Sequence, residues 1–251
     1  MRPSLIVLSA YSGSESPAIA GDSLLAIATA VEMVHTYSLI HDDLPCMDDD
    51  LMRRGIPTCH VAYGISDATW AGSALLIEAF VILAREFSAS GCLPEAARVM
   101  GDAAGLEGMV GGQWLDTQLP GTGVSGDAFI EVHRRKTAAL LQGCCTLGGL
   151  AGGVDEPAIV ALRSFGECLG LAFQAIDDLL DVTGNERVVG KRVGKDAQAG
   201  KLTATATLGV EGARRYVDEL IDLAMSALAS LEGPAVPRLR DLAFHLGHRV
   251  L

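Results

Sequence analysis

Apolar residues in this 251-residue chain recur at the helical period wherever they cluster. Leu24, Ile27, Ala28, Val31, Val34 and Ser38 form one stripe, and Phe165, Leu169, Ala172, Phe173, Ile176 and Leu180 form another. Steps of three and four place side chains on one side of a helix. No alternating run of strand length and no repeat at a fixed period competes with this pattern, so the fold class expected is all-α. Hydrophobic residues make up 49% of the chain and aromatics only 5%, an aliphatic bias that suits packed helices better than sheets. The chain is long enough for one large helical bundle with a continuous core, and a single domain over 1–251 is expected.

Glycine, proline, aspartate and serine gather at Pro17 to Asp22, Pro57 to Asp67, Ser90 to Pro94, Leu119 to Gly126, Gly152 to Pro157, Gly184 to Gly200 and Gly233 to Pro237. These breaks leave helices of roughly ten to twenty-five residues. The pairs Gly148-Gly149 and Gly152-Gly153 read as close helix packing and a helix end. Gly121, Gly123 and Gly126 match the spacing of a dinucleotide loop, but Gln118-Leu119-Pro120 precedes them where that loop needs a strand, so they read as a plain turn.

A formal net charge of -12 opposes binding along a nucleic-acid backbone, and no nucleic-acid partner is expected. An anionic substrate would need local cations or a metal. The apolar stretch from Ala74 to Ala84 is interrupted by Glu78 and is short for a bilayer, so no membrane span is expected. The amino terminus has no leader pattern and the six cysteines follow neither metal nor disulfide spacing, which points to the cytoplasm.

Two acidic clusters carry the chemistry. Asp42, Asp43, Asp48, Asp49 and Asp50 fall within nine residues. An acidic run of this kind, taken alone, is usually a solvated loop. Here Asp42 ends a markedly apolar helix, and carboxylates crowded at an apolar site repel one another unless a hard cation lies among them. In the second cluster Asp177 and Asp181 are four residues apart on one helix face, with Asp178 between them and Gln174 a turn earlier. Phe173, Ile176, Leu179 and Leu180 interleave with these acids, so the helix is at least half-buried and the charges need a cationic partner. Oxygen ligands alone favour magnesium, which keeps waters and completes its shell with phosphate oxygens. Zinc would want clustered His and Cys, and a di-iron bundle would want paired Glu-x-x-His elements. Cations gather beside the acids: Arg53 and Arg54 after the first cluster, Arg134, Arg135 and Lys136 midway, and Lys191, Arg192, Lys195 and Lys201 after the second. Singly, each would read as a surface charge; together they suit a diphosphate.

The same residues resemble the trans-prenyl diphosphate synthase (polyprenyl synthetase) family, which includes farnesyl and geranylgeranyl diphosphate synthases. The first cluster is similar to that family's first Asp-rich motif in its bacterial and plastid form, with two additional residues between its Asp groups. Phe173-Gln174 before Asp177-Asp178-x-x-Asp181, Lys136-Thr137, Gly200-Lys201-x-Thr203, and Gly111-Gly112-Gln113 with Asp116 also correspond. The likeness runs from Arg2 to about Gly209 and weakens beyond. It implies an isoprenoid-synthase bundle around a central cavity, and a transferase that joins isopentenyl diphosphate to dimethylallyl or geranyl diphosphate. It also implies a homodimer and magnesium, three ions per site with substrate bound.

By that resemblance Asp42, Asp48 and Asp177 bind metal, with Asp43, Asp178 and Asp181 as supporting ligands or groups behind them. Asp42, Asp48, Asp177, Lys136 and Lys191 form the catalytic set. Arg53, Lys136, Thr137, Gln174, Lys191 and Lys201 hold the allylic diphosphate, and Arg2, His35 and Arg54 hold isopentenyl diphosphate. His35 lies seven residues before Asp42 on one helix, so both face one side; on its own it would read as a core histidine. Tyr37 and Ser38 fall where the family places its chain-length determinants, and an aromatic floor at Tyr37 favours the fifteen-carbon product over a geranylgeranyl product. The alternative is that Tyr37 simply packs on a neighbouring helix.

The sequence departs from the family pattern at three places. It begins inside a Gly-Lys-x-x-Arg-Pro element, at Arg2-Pro3, so the Gly, the Lys and the family's amino-terminal helices are not in it. Ser73 stands where an Asp is expected, and Ala204-Thr205-Ala206 where a Tyr-Pro pair is expected. Two competing classes are a terpene cyclase, which the second Asp cluster and Arg54 oppose, and a catalytically weak regulatory subunit of a heteromeric synthase, which the intact carboxylates oppose.

Overall fold

A computed structural model describes residues 1–119, 127–183 and 202–248. Among them the helices are α1 (Arg2–Ala10), α2 (Gly21–Asp42), α3 (Cys59–Tyr63), α4 (Ile65–Phe87), α5 (Leu93–Ala104), α6 (Met109–Gln118), α7 (Ala128–His133), α8 (Ala139–Gly152), α9 (Glu156–Thr183), α10 (Ala204–Ala227) and α11 (Val236–Gly247). A π-helical turn, Arg134–Ala138, joins α7 to α8. The strands described are β1 (Met52–Arg53) and β2 (Ile56–Pro57), an antiparallel pair with Met52 opposite Pro57.

Prolines near the first turn open α1, α5 and α11, where a missing N–H costs nothing. Gly153, at φ 70°, closes α8 in the left-handed conformation. α9 runs between α8 and α10, α1 lies across α8 and α2, and α2 pairs with α4. Phe87, Phe129, Phe165, Leu5, Ile27 and Met100 are fully buried. The stripes read from the sequence face mostly inward: Leu24, Ile27, Ala28, Val31 and Val34 on α2, and Phe165, Leu169, Ala172 and Ile176 on α9, are buried, while Ser38, Phe173 and Leu180 are half-buried. Gly148 lets α1 approach α8 closely, since a Cβ there would stand 2.4 Å from the Ile6 carbonyl oxygen.

Several boundaries differ from expectation. The Pro57 to Asp67 break holds α3 and the start of α4. A turn over 105–108 separates α5 from α6, and α10 is kinked at Gly209, φ 71°. The Gly121, Gly123 and Gly126 loop and most of the Gly184 to Gly200 break lie outside the described residues. All six cysteines are free.

The run around Ala74 to Ala84 belongs to a longer helix than the sequence suggested: α4 has 23 residues. α2, α4 and α9 have the length and mean hydropathy, 1.4, 1.5 and 1.4, of membrane-crossing helices. α9 turns its apolar residues to the core, with 61% of its most apolar stretch buried, whereas α4 buries 22%. These properties do not establish a span.

Candidate active site

The first aspartate cluster is gathered by the loop after α2. The Asp48 amide donates to the Asp42 carbonyl at 2.8 Å, and the Met47 and Asp49 amides donate to the Leu44 carbonyl at 2.8 and 3.2 Å. The loop thus curls until Asp48 returns to the end of α2. Asp49 takes a left-handed φ of 50°, a conformation Asp tolerates better than most residues. Burial pushes the Asp42 carboxyl up to about 6, against the pull of Lys136, with Asp48 adding repulsion. Asp43 is 3% exposed. Arg53 Nε donates to both its oxygens at 2.9 Å and Nη2 to Oδ1 at 2.6 Å. Arg53 is presented by the β1–β2 hairpin, whose turn residues Arg54 and Gly55 both have positive φ, 52° and 79°.

The second cluster is built around the π turn, a local widening that often marks functional sites. Gly112 on α6 and Gly170 on α9 grip it. A Cβ at Gly112 would lie 2.2 Å from the Lys136 nitrogen, and one at Gly170 would lie 2.4 Å from Ala138 Cα. One helical turn beyond each glycine sits a partner for the turn's side chains. Lys136 Nζ donates to Asp116 Oδ2 at 2.6 Å, and Thr137 Oγ1 donates to Gln174 Oε1 at 2.8 Å. Gln174 Nε2 then donates to Asp178 Oδ1 at 3.2 Å, and the Ala204 amide donates to Oδ2 at 2.7 Å. Asp178 and Asp181 are buried, and Asp177 is half-buried. The charge of Lys136 is felt at Asp42 while its neighbour Thr137 holds the Gln174–Asp178 pair, so the π turn has residues directed to both acidic clusters.

His35 marks a third group. Its imidazole is pushed down to about 4, first by burial and then by Arg2, with Arg54 and Arg53 adding to the effect and Glu32 opposing it. Of the predicted trio, Arg2 and Arg54 thus lie within electrostatic reach of His35. Arg2 Nε donates to Glu32 Oε1 at 2.7 Å. Tyr37 is 5% exposed and meets His41 edge to face at 5.7 Å; His41 Nε2 lies 3.2 Å from the Thr69 carbonyl of α4. Ser38 Oγ donates to the His35 carbonyl at 2.9 Å. Lys191 and Lys201, like Arg192 and Lys195, lie outside the described residues.

The donors fit magnesium in kind: Asp48 is returned by its loop to Asp42 at the end of α2, their oxygens are hard, and Asp42 sits in surroundings that disfavour its charge until a cation arrives. Among the described residues no three His, Cys, Asp or Glu side chains are drawn into a chelating group. Asp43 and Asp178, given by the resemblance as supporting groups, are turned to protein partners. Sequence reasoning assigned no role to Asp116, Glu32 or His133. The four-residue step from Gly112 to Asp116 was the available signal for the first; the others pair across the fold. A separate cavity of about 280 Å³ lies by Arg98, Gln142, Arg163 and Glu167, and none of the predicted site residues lines it.

An all-helical bundle with one aspartate cluster at the end of α2, a second on α9 and a lysine-bearing turn between α7 and α8 has the architecture of a helical isoprenoid synthase. Residues 1–230 match the polyprenyl synthetase family model, and the chain belongs to that family. It is similar to the farnesyl diphosphate synthase of Escherichia coli, 43% identical over 92% of this chain and 77% of that protein. It is also similar to the chloroplastic geranylgeranyl pyrophosphate synthase of Catharanthus roseus, 40% identical over 99% and 70%. The geranyltransferase of Helicobacter pylori, solved with magnesium and isoprenyl diphosphate, superposes with a TM-score of 0.81 at 33% identity, covering 98% of this chain and 81% of that one. The chain is a transferase of the prenyl diphosphate synthase type.

Proposed function

We propose that this enzyme condenses isopentenyl diphosphate head to tail with dimethylallyl or geranyl diphosphate in a magnesium-dependent reaction, giving chiefly farnesyl diphosphate. The observation that carries this reading is the π turn: Lys136 acts on Asp42 on one side, while Thr137 engages Gln174, one turn from Asp177 and Asp178, on the other. A diphosphate bound there meets a cation and flanking carboxylates.

Asp42, Asp48 and Asp177, with Asp181, are the residues to hold Mg²⁺; Asp43 reaches a metal only if Arg53 releases it. Bound magnesium would supply positive charge to the diphosphate oxygens. Lys136 and Thr137, with Arg53, Gln174, Lys191 and Lys201, orient the allylic diphosphate, so the carbon–oxygen bond breaks with its electron pair leaving on the diphosphate. The isopentenyl double bond attacks the resulting allylic cation, and the proton lost from the new chain passes to the departed diphosphate. Arg2, neutral His35 and Arg54 hold the isopentenyl diphosphate. Apolar walls exclude water, which would trap the cation as an alcohol.

Tyr37, buried one turn before Asp42, supports the fifteen-carbon product as a floor beneath the growing tail. Trp70, Ile77 and Val81 form an outward stripe on α4, 72%, 65% and 51% exposed, which supports a homodimer because apolar stripes of this kind are normally covered. The cytoplasm is the compartment this reading places it in. Incubation with Mg²⁺, labelled isopentenyl diphosphate and each allylic starter should yield a labelled farnesyl product by chromatography. No chain extension with any starter would refute the reading.

A further inference from the structure

His133 lies at the last position of α7, three residues before Lys136, and the reaction described above gives it no part. It is 4% exposed. Its Nε2 stands 3.4 Å from Asp178 Oδ2, with the two side chains 5% and 2% exposed. At that length the contact is a dipole facing a charge rather than a full hydrogen bond. Its Nδ1 is buried without a partner. Phe129 meets the imidazole edge to face at 5.4 Å, and Tyr216 of α10 meets Phe129 at 5.8 Å, so the ring plane is fixed by packing.

The tautomer follows from these neighbours. A hydrogen on Nδ1 would be a buried donor with no acceptor, and it would aim the Nε2 lone pair at a carboxylate; both are unfavourable. A hydrogen on Nε2 faces Asp178 and leaves only an acceptor unsatisfied. A protonated ring also carries hydrogen on Nε2, so the orientation does not depend on the charge state.

Asp178 is the junction through which this donor reaches the site. Its Oδ1 takes Gln174 Nε2 and its Oδ2 takes the Ala204 amide. Gln174 is in turn held by Thr137. His133 directly precedes the π turn and Thr137 lies within it, so a closed loop runs from the turn through Gln174 and Asp178 back to the residue before the turn. The same carboxylate fixes the amino terminus of α10.

We propose that His133 is a positioning residue for the second aspartate cluster, its Nε2 hydrogen holding Asp178 so that Gln174 and the adjacent Asp177 are set for magnesium diphosphate. The assignment rests on the reading of the site given above, yet it can be tested apart from turnover. Gln at position 133 can place an amide nitrogen near the Nε2 position, whereas Phe keeps the ring without a donor.

Calorimetric titration of inorganic diphosphate in Mg²⁺ into wild type, His133→Phe and His133→Gln is the test, with isopentenyl diphosphate as the control ligand. The Phe variant should bind magnesium diphosphate about ten- to a hundredfold more weakly, the usual range for losing a partner behind a metal ligand. Isopentenyl diphosphate, which rests on Arg2, His35 and Arg54, should bind unchanged, and Gln should restore most of the loss. Nitrogen-15 spectra of the wild type should place the ring hydrogen on Nε2. Equal weakening of both ligands would show a packing role only and overturn the proposal, as would unchanged binding in the Phe variant or a hydrogen found on Nδ1. A wild type that binds magnesium diphosphate but transfers no prenyl group would refute the proposed reaction while leaving this comparison decisive for His133.

Discussion

Replacing Gly112 with alanine is expected to disable prenyl transfer far more than it destabilises the fold. A Cβ there would stand 2.2 Å from the Lys136 nitrogen, 2.6 Å from Lys136 Cα and 2.8 Å from the Arg135 carbonyl carbon. Ordinary contacts begin near ~3.5 Å, so α6 and the π turn must separate by roughly 1 Å or slightly more. Overpacking of this kind costs about 1–3 kcal/mol, or roughly 2–4 °C in Tm for each kcal/mol in a chain of this size. The same displacement moves Lys136 and Thr137, and a misplacement of about 1 Å in positioning groups lowers rates on the order of a hundredfold. Gly101→Ala is the control, because nothing lies within 4 Å of a Cβ there and alanine in a helix interior should gain about 0.5–1 kcal/mol. Thermal unfolding and steady-state kinetics with labelled isopentenyl diphosphate measure both quantities. Wild-type turnover in Gly112→Ala, or equal damage from Gly101→Ala, would refute the reasoning.

Tyr37→Ala should lengthen the products; an unchanged profile by chromatography would remove the floor argument. His35, pushed down to about 4 from about 6.5 in the unfolded chain, gives a sign for the pH dependence. The unfolded chain takes up a proton below about 6.5 that the folded one refuses, so this contribution is present above that value and is lost as pH falls toward 4. Discounted for solvent screening of a half-buried ring, it amounts to on the order of 1–2 kcal/mol, and His35→Gln should flatten the stability slope over that range in urea titrations; an unaltered slope would contradict it. Arg53→Met should cost about 2–3 kcal/mol by leaving the Asp43 carboxylate buried without its hydrogen bonds, and adding Asp43→Leu should recover much of this in the same titrations. No recovery would mean that Arg53 stabilises by packing alone.

The stripes on α2 and α9 were legible because apolar spacing alone decides which side of a long helix is buried, and the prolines of α1, α5 and α11 marked starts by a local steric rule. The second acidic cluster was legible for the same local reason, being four residues apart on one helix. The π turn was not: its one-residue widening leaves Arg134 to Ala138 with the spacing of an ordinary helix, and the glycines packed against it, Gly112 and Gly170, lie on other elements. Gln174 was read as part of the Asp177 and Asp181 stripe, yet it bonds Asp178, because the neighbouring Thr137 and α10 select that face. The pairs Arg2–Glu32 and Lys136–Asp116 join residues thirty and twenty positions apart, which no local pattern encodes. Arg53 reads as a phosphate ligand; its pairing with Asp43, set by the tight hairpin turn at Arg54 and Gly55, joins residues ten positions apart and was not legible.

In the proposed reaction both acidic clusters act on one magnesium-bound diphosphate. The direct measurement is the affinity of a non-reacting allylic diphosphate analogue, titrated with and without Mg²⁺, in wild type, Asp42→Asn, Asp177→Asn and the double variant. Tight binding should need the metal, each single variant should lose most of it, and the double variant should lose little more than either single one. Metal-independent binding, or affinity that survives both substitutions, would contradict the account.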